Sequence, residues 1–166
     1  LNVRRNKLQV VVIPPNMNTA ILLSLATLQP VPDTWLDAVE KTESNSRNVW
    51  GDGKTAAGVF QFHRAAWTDC SKIRKKAGLP VYPFKDAMDR KKAREYARSW
   101  LTYTRARLTK QYGRPANLGE TWLAYNLGMR GFSRYNYNWA TVDGWRYRKA
   151  VVTMLYVEES KIQSDE

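Results

Sequence analysis

Cysteine and histidine are almost absent from this sequence: 166 residues contain one of each, Cys70 and His63. A single cysteine excludes an intramolecular disulfide framework. A single histidine excludes most zinc-site patterns, which draw on several His or Cys ligands. A lone thiol usually behaves as a small buried hydrophobe, and that is the expectation for Cys70. A Cys70–His63 pair is conceivable from their proximity in sequence, but nothing else supports it. Long apolar runs are also lacking. The run at 10–13 follows Arg4, Arg5 and Lys7 and is stopped by Pro14 and Pro15, well short of the ~20 apolar residues that span a bilayer. A basic lead before a short apolar segment faintly resembles a signal peptide. The prolines and the missing small-residue cleavage site favour an arm followed by one packed helix at 20–28.

Acidic residues are scarce too. Lys plus Arg number 27 against 15 Asp plus Glu, a net charge of +12. Such a surface gathers anionic partners around it, whether nucleic acid, acidic lipid or bacterial wall polymer, and charge alone does not choose among them. What is abundant is apolar and aromatic material, 43% and 12% of the chain. That suffices for the core of one domain at this length.

Helical periodicity dominates. Thr34 and Asp37 read as a capping pattern opening a helix over 34–44, with Trp35, Leu36, Val39 and Thr42 on its core face. Residues 45–57 are rich in Gly, Asn, Asp and Ser, with Gly51-Asp52-Gly53 at the centre, and read as a loop or irregular hairpin. A second helix is expected over 64–76, ended by Gly78 and Pro80. Asp86, with Asp89 three residues on, opens a long one over 86–112 whose Lys and Arg residues form a solvated face. Asn117 with Glu120 reads as a capping box for a helix over 117–125, and a last helix is expected over 142–157. The fold class is therefore mainly α, with at most a small β-hairpin. The expected division is an arm with a short helix at 1–32, a folded domain at 33–158 and a tail at 159–166.

Glu43 closes the first core helix, just before the glycine-rich loop. A carboxyl placed there and desolvated against aromatic neighbours has its pKa raised, because burial disfavours the charged form. Protonated near neutral pH, it can donate to a glycosidic oxygen. The plain alternative is an exposed carboxylate at a helix end. Glu40, one turn earlier, reads as a solvent-side partner of Lys41 or a neighbouring Arg.

Three stretches bear on that choice: Glu43-Ser44 preceded by Ala38, Gly58-Val59-Phe60-Gln61, and Ala124-Tyr125-Asn126-Leu127-Gly128. In this order and spacing they resemble the lysozyme-like superfamily (α+β), especially the soluble lytic transglycosylase type of domain, over about 35–136. Phe60 stands where Met is usual, and Leu127 where a small residue is common. The resemblance implies a catalytic cleft in a helical domain, with Glu43 as the catalytic acid. It implies Ser44 and Gln61 at the cleft floor, Tyr125 and Asn126 on the sugar beside the scissile bond, and Gly58 letting the backbone approach substrate. It further implies cleavage of the β-1,4 bond between N-acetylmuramic acid and N-acetylglucosamine in peptidoglycan. The chain would act as a monomer, without metal or cofactor, outside the cell, in a periplasm or on a virion, and anionic wall polymers would be further partners.

Asp52, nine residues beyond Glu43, has two readings. Beside glycine it is a routine turn residue. It also stands where some phage lysozymes place a second acid, and a hydrolase wants a second carboxylate about 5–9.5 Å from the first. With Glu43 alone, the sugar's own hydroxyl attacks and closes an anhydro ring; with Asp52 in reach, water attack becomes feasible. Trp50, Trp67, Tyr103, Tyr137 and Trp139 are candidates to stack on sugar rings, though core packing accounts for most aromatics. Two other functions remain open. Arg130, Arg134, Arg146 and Arg148, interleaved with Tyr, would suit a nucleic-acid-binding domain, although no nucleic-acid motif accompanies them. An inactive module that binds wall glycan without cutting it is the other.

Overall fold

The computed structural model describes residues 24–164. The expected N-terminal arm and most of the short helix at 20–28 lie outside those residues; the part inside is a single 3-10 turn, Leu25–Thr27. Five α-helices and a small antiparallel sheet follow, so the mainly α expectation holds.

Helix α1, Asp33–Ser44, buries Leu36, Ala38 and Val39 along one face. Its start differs from the capping pattern read at Thr34 and Asp37. Pro32 precedes the first turn without any side-chain cap, and Asp33 and Asp37 turn outward to Arg94 (2.8 and 2.7 Å). Asn45 ends the helix in a left-handed conformation, its N–H donating to Lys41 O.

The segment after α1 holds the short hairpin that its composition allowed, extended by a third strand. Strands β1 (Trp50–Gly51), β2 (Ala56–Ala57) and β3 (Phe62–His63) pair in that order, all antiparallel, with a 3-10 turn at Asp52–Lys54 between the first two. Helix α2, Arg64–Lys76, leaves β3 directly and has the expected bounds. Cys70 on it is buried and donates to Tyr96 O (3.4 Å). Burial pushes its thiol up, away from reactivity, and its hydrogen bond goes to Tyr96 O and not to His63.

Helix α3, Arg90–Tyr112, is capped by Asp89, which accepts from Lys92 N; Asp86 instead sits in a preceding 3-10 turn, Phe84–Met88, and holds Lys92 Nζ at 2.7 Å. The basic face of α3 is not simply solvated. Arg90 and Arg94 reach across to α1, where Glu40, only 6% exposed, faces Arg90 at 3.2 Å. Arg74 on α2 is buried, satisfied by Pro80 O, Glu95 O and Ser99 Oγ.

Helix α4, Leu118–Ser133, opens with the expected Asn117–Glu120 capping box and is buried from Leu118 to Ala124. It runs past the expected end but breaks at Gly128, whose φ of 70° and ψ of 156° belong to a region open essentially to glycine alone. Helix α5, Gly144–Ser164, packs on both α1 and α4 and extends to Ser164, into the segment expected as a tail, whose last two residues lie outside the described ones. The core between these layers holds Leu36, Val39, Phe60, Trp67, Tyr96, Leu101, Trp122 and Phe132. Trp67 stacks on Tyr96 with centroids 3.6 Å apart, so it is a core residue and not a sugar platform.

Candidate functional site

The end of α1, the sheet, the middle of α4 and the start of α5 enclose a polar cleft of about 340 Å³. Glu43, Asp52, Gln61, Tyr125 and Asn126 line it, together with Phe62, His63, Ala66, Trp145 and Lys149. Five of the seven site residues read from the sequence therefore meet in one place.

Glu43 sits half-buried, one position before the close of α1, with its Oε1 accepting from the indole N–H of Trp122 at 2.7 Å. Burial pushes its carboxyl up to about 7. The Trp122 hydrogen bond and the Lys149 charge pull the other way, and the negative charge of Asp52 adds to the rise. Loss of water around the carboxylate outweighs the groups that favour its charged form. Because Oε1 accepts from Trp122, the proton of the neutral acid resides on Oε2.

Asp52 lies at the turn between β1 and β2 with φ of 46°, which fits its turn reading, yet its side chain belongs to the cleft. Its Oδ2 lies 3.2 Å from Nε2 of His63, the residue that ends β3. Tyr125, on α4, donates its hydroxyl to Phe60 O (2.6 Å) and meets Phe62 edge to face at 5.6 Å. Burial, and then the Glu43 charge, raise its phenol well above the ordinary value, so it stays neutral. Asn126 is exposed at the rim and accepts from Arg146 Nε (3.1 Å), an arginine also paired with Asp143.

Gln61 holds a left-handed φ of 48°. Its side-chain amide donates to Val49 O (3.0 Å) and Gly58 O (2.7 Å), locking the turn before β3 and leaving Oε1 as the free acceptor. A Cβ on Gly51 would stand 1.9 Å from that Oε1, so a larger residue there would displace the Gln61 side chain.

Ser44 and Gly58 do not line the cleft. Ser44 is buried, and its hydroxyl donates to Val59 O at 2.8 Å, tying the end of α1 to the segment before β3. Gly58 takes φ of 75°, and a Cβ there would lie 1.9 Å from Ala87 O. The close approach that requires glycine is therefore to this backbone carbonyl and not to substrate. Both residues position the cleft wall without facing it.

Trp122, Trp145 and Lys149 went unread as site residues. Trp122 lies one turn before Tyr125 on α4, and a buried indole N–H needs an acceptor; that was the available signal. Trp145 and Lys149 lie one turn apart on α5, and only the packing of α5 on α1 brings them to Glu43. Among the described residues no group of His, Cys, Asp and Glu could hold a metal ion, and no helix is long and apolar enough to cross a membrane. No family model, curated protein or solved structure matches this chain.

Proposed function

We infer that the chain cleaves the β-1,4 glycosidic bonds of bacterial peptidoglycan, with Glu43 as general acid. The observation that carries this reading is a carboxyl pushed up to about 7, held by Trp122 at the edge of a polar cleft that also contains a second carboxylate. Protonated Glu43 gives its Oε2 hydrogen to the bridging oxygen as the bond to the anomeric carbon breaks. The resulting carboxylate then takes a proton from the incoming nucleophile. Asp52 supports water as that nucleophile, either by holding it or by offsetting the positive charge that develops on the sugar ring. Hydrolysis is thus better supported than closure of an anhydro ring. Tyr125 stays a neutral phenol lining the cleft, and Gln61 Oε1 and Asn126 offer further polar contacts to sugar hydroxyls and acetamido groups. The +12 charge favours residence on anionic wall. A chain with this activity works outside the cytoplasm, in a periplasm or from a virion.

The test is digestion of purified peptidoglycan by wild type and Glu43→Gln, with mass spectrometry of the fragments. The variant keeps the polar shape but cannot donate the proton, so turnover should fall by about 10²–10⁴-fold. Reducing ends on the products mark hydrolysis and anhydro ends mark transglycosylation. Undiminished cleavage by Glu43→Gln would refute the assignment. Wall binding without any cleavage by wild type would leave only a glycan-binding module.

A further inference from the structure

Helix α5 is apolar on two faces. Its inner face, with Ala150, Thr153 and Val157, is buried against the rest of the domain. Its outer face carries Trp145, Val152, Leu155 and Ile162, which are 44%, 39%, 53% and 66% exposed. A surface helix ordinarily turns one apolar stripe to its own core and a polar face to water. On the outer face Trp145, Arg148, Val152, Leu155, Glu159 and Ile162 follow one another at alternating spacings of three and four residues. That is the seam spacing by which one helix packs along another, and it runs here for about 27 Å. Arg148 and Glu159 are exposed within the seam. Among the described residues, neither is ion-paired.

The seam is complementary to itself when reversed. Trp145 and Ile162, Arg148 and Glu159, and Val152 and Leu155 stand in pairs equidistant from the point between Thr153 and Met154. A two-fold axis through that point, with a second α5 running antiparallel, sets each residue against its pair-mate. Arg148 of each copy then faces Glu159 of the other, and every apolar position faces an apolar one. A slip of one heptad would part the charges and set one of them against an apolar side chain, so the polar layers fix the register. A parallel pair would instead oppose arginine to arginine and glutamate to glutamate. We propose that this face is the interface of an antiparallel, two-fold dimer of this chain. It departs from the monomer that the family resemblance implies. A contact this narrow falls at the low end of interface sizes, under about 1,200 Å², so the dimer forms at micromolar or higher concentration and parts on dilution. Trp145 also lines the cleft, so pairing brings Ile162 of the second copy to the cleft rim.

Sedimentation equilibrium of the full chain, from low to high micromolar concentration and without substrate, tests this. The mean mass should rise toward that of two chains. Arg148→Glu and Glu159→Arg should each weaken association about tenfold or more, since each sets like charges together twice across the seam. Mixing the two single variants should restore it, and so should both exchanges in one chain. Leu155→Glu should give a monomer at all concentrations, with the thermal unfolding of dilute wild type because that side chain is exposed. A wild type that stays monomeric throughout overturns the dimer, as does association that the single charge reversals leave unchanged. So does a mixture of the two reversed chains that associates no better than either alone. Binding of a monomeric wild type to anionic phospholipid vesicles, lost in Leu155→Glu, would give the face to a lipid surface and also overturn the proposal. None of these readings depends on wall cleavage, so this proposal and the catalytic assignment of Glu43 fail separately.

Discussion

A carboxyl pushed from 4.5 up to about 7 affects both activity and stability. In the proposed role of general acid Glu43 must be protonated, so kcat/KM should fall as pH rises through about 7. Asp52 raises the Glu43 pKa and Lys149 lowers it. Asp52→Asn should therefore move that alkaline limb to lower pH, and Lys149→Met should move it to higher pH. A pH–rate profile of the three proteins checks the order. Removing an N–H donor by Trp122→Phe should also shift the limb upward, while lowering kcat because the carboxyl loses its anchor. For stability the sign is opposite to that of an ion-paired carboxylate. Between pH 4.5 and about 7 the folded state keeps a proton that the unfolded state has released, so stability falls as pH rises through that window. Glu43→Gln removes this penalty. It should be near neutral at about pH 4 and stabilising by up to about 3 kcal/mol at about pH 8, as measured by denaturant titration.

At the scale of elements, the cleft depends on two residues that face away from it. Gly58 combines a left-handed φ of 75° with the Ala87 carbonyl 1.9 Å from any added Cβ. Gly58→Ala should destabilise by about 2–4 kcal/mol, because backbone strain and steric conflict coincide. Ser44→Ala strands the Val59 carbonyl and should cost about 1–3 kcal/mol. Thermal unfolding measures both. These residues also show what the sequence could convey. The glycine and serine were recognisable as parts of a motif, but which surface each served was not, because that depends on Ala87 and Val59. Helix α2 and the Asn117–Glu120 cap were legible, since their signals are local. The starts of α1 and α3 were misread. Asp37 and Asp86 are drawn into tertiary ion pairs with Arg94 and Lys92, and Thr34 lies already inside the helix that Asp33 begins. Trp122 escaped because its partner is 79 positions away, beyond any helical periodicity.

For the whole molecule, the surplus of positive charge bears, under the proposed function, on how the protein is held to anionic wall rather than on the chemistry of the cleft. Lys and Arg side chains on the surface attract anionic polymer over a screened distance of about 10 Å at 0.1 M salt. Raising the ionic strength should therefore raise KM on intact wall while leaving kcat on a short neutral oligomer nearly constant. The basic charge is not all available for that purpose. Arg90, Arg94 and Arg98 bind the acids of α1, and Arg74 is enclosed among Glu95, Ser99 and Pro80.

The indole of Trp122 belongs to the interior packing and also holds the Glu43 carboxyl. Its nitrogen reaches Glu43 across the seam between α4 and α1, so the strength of the acid is set by how closely two helices lie together. Loosening the core beneath that ring, by trimming Leu123 for example, would retune proton transfer well before the protein melts, and pH–rate curves would register slackened packing that a thermal scan overlooks.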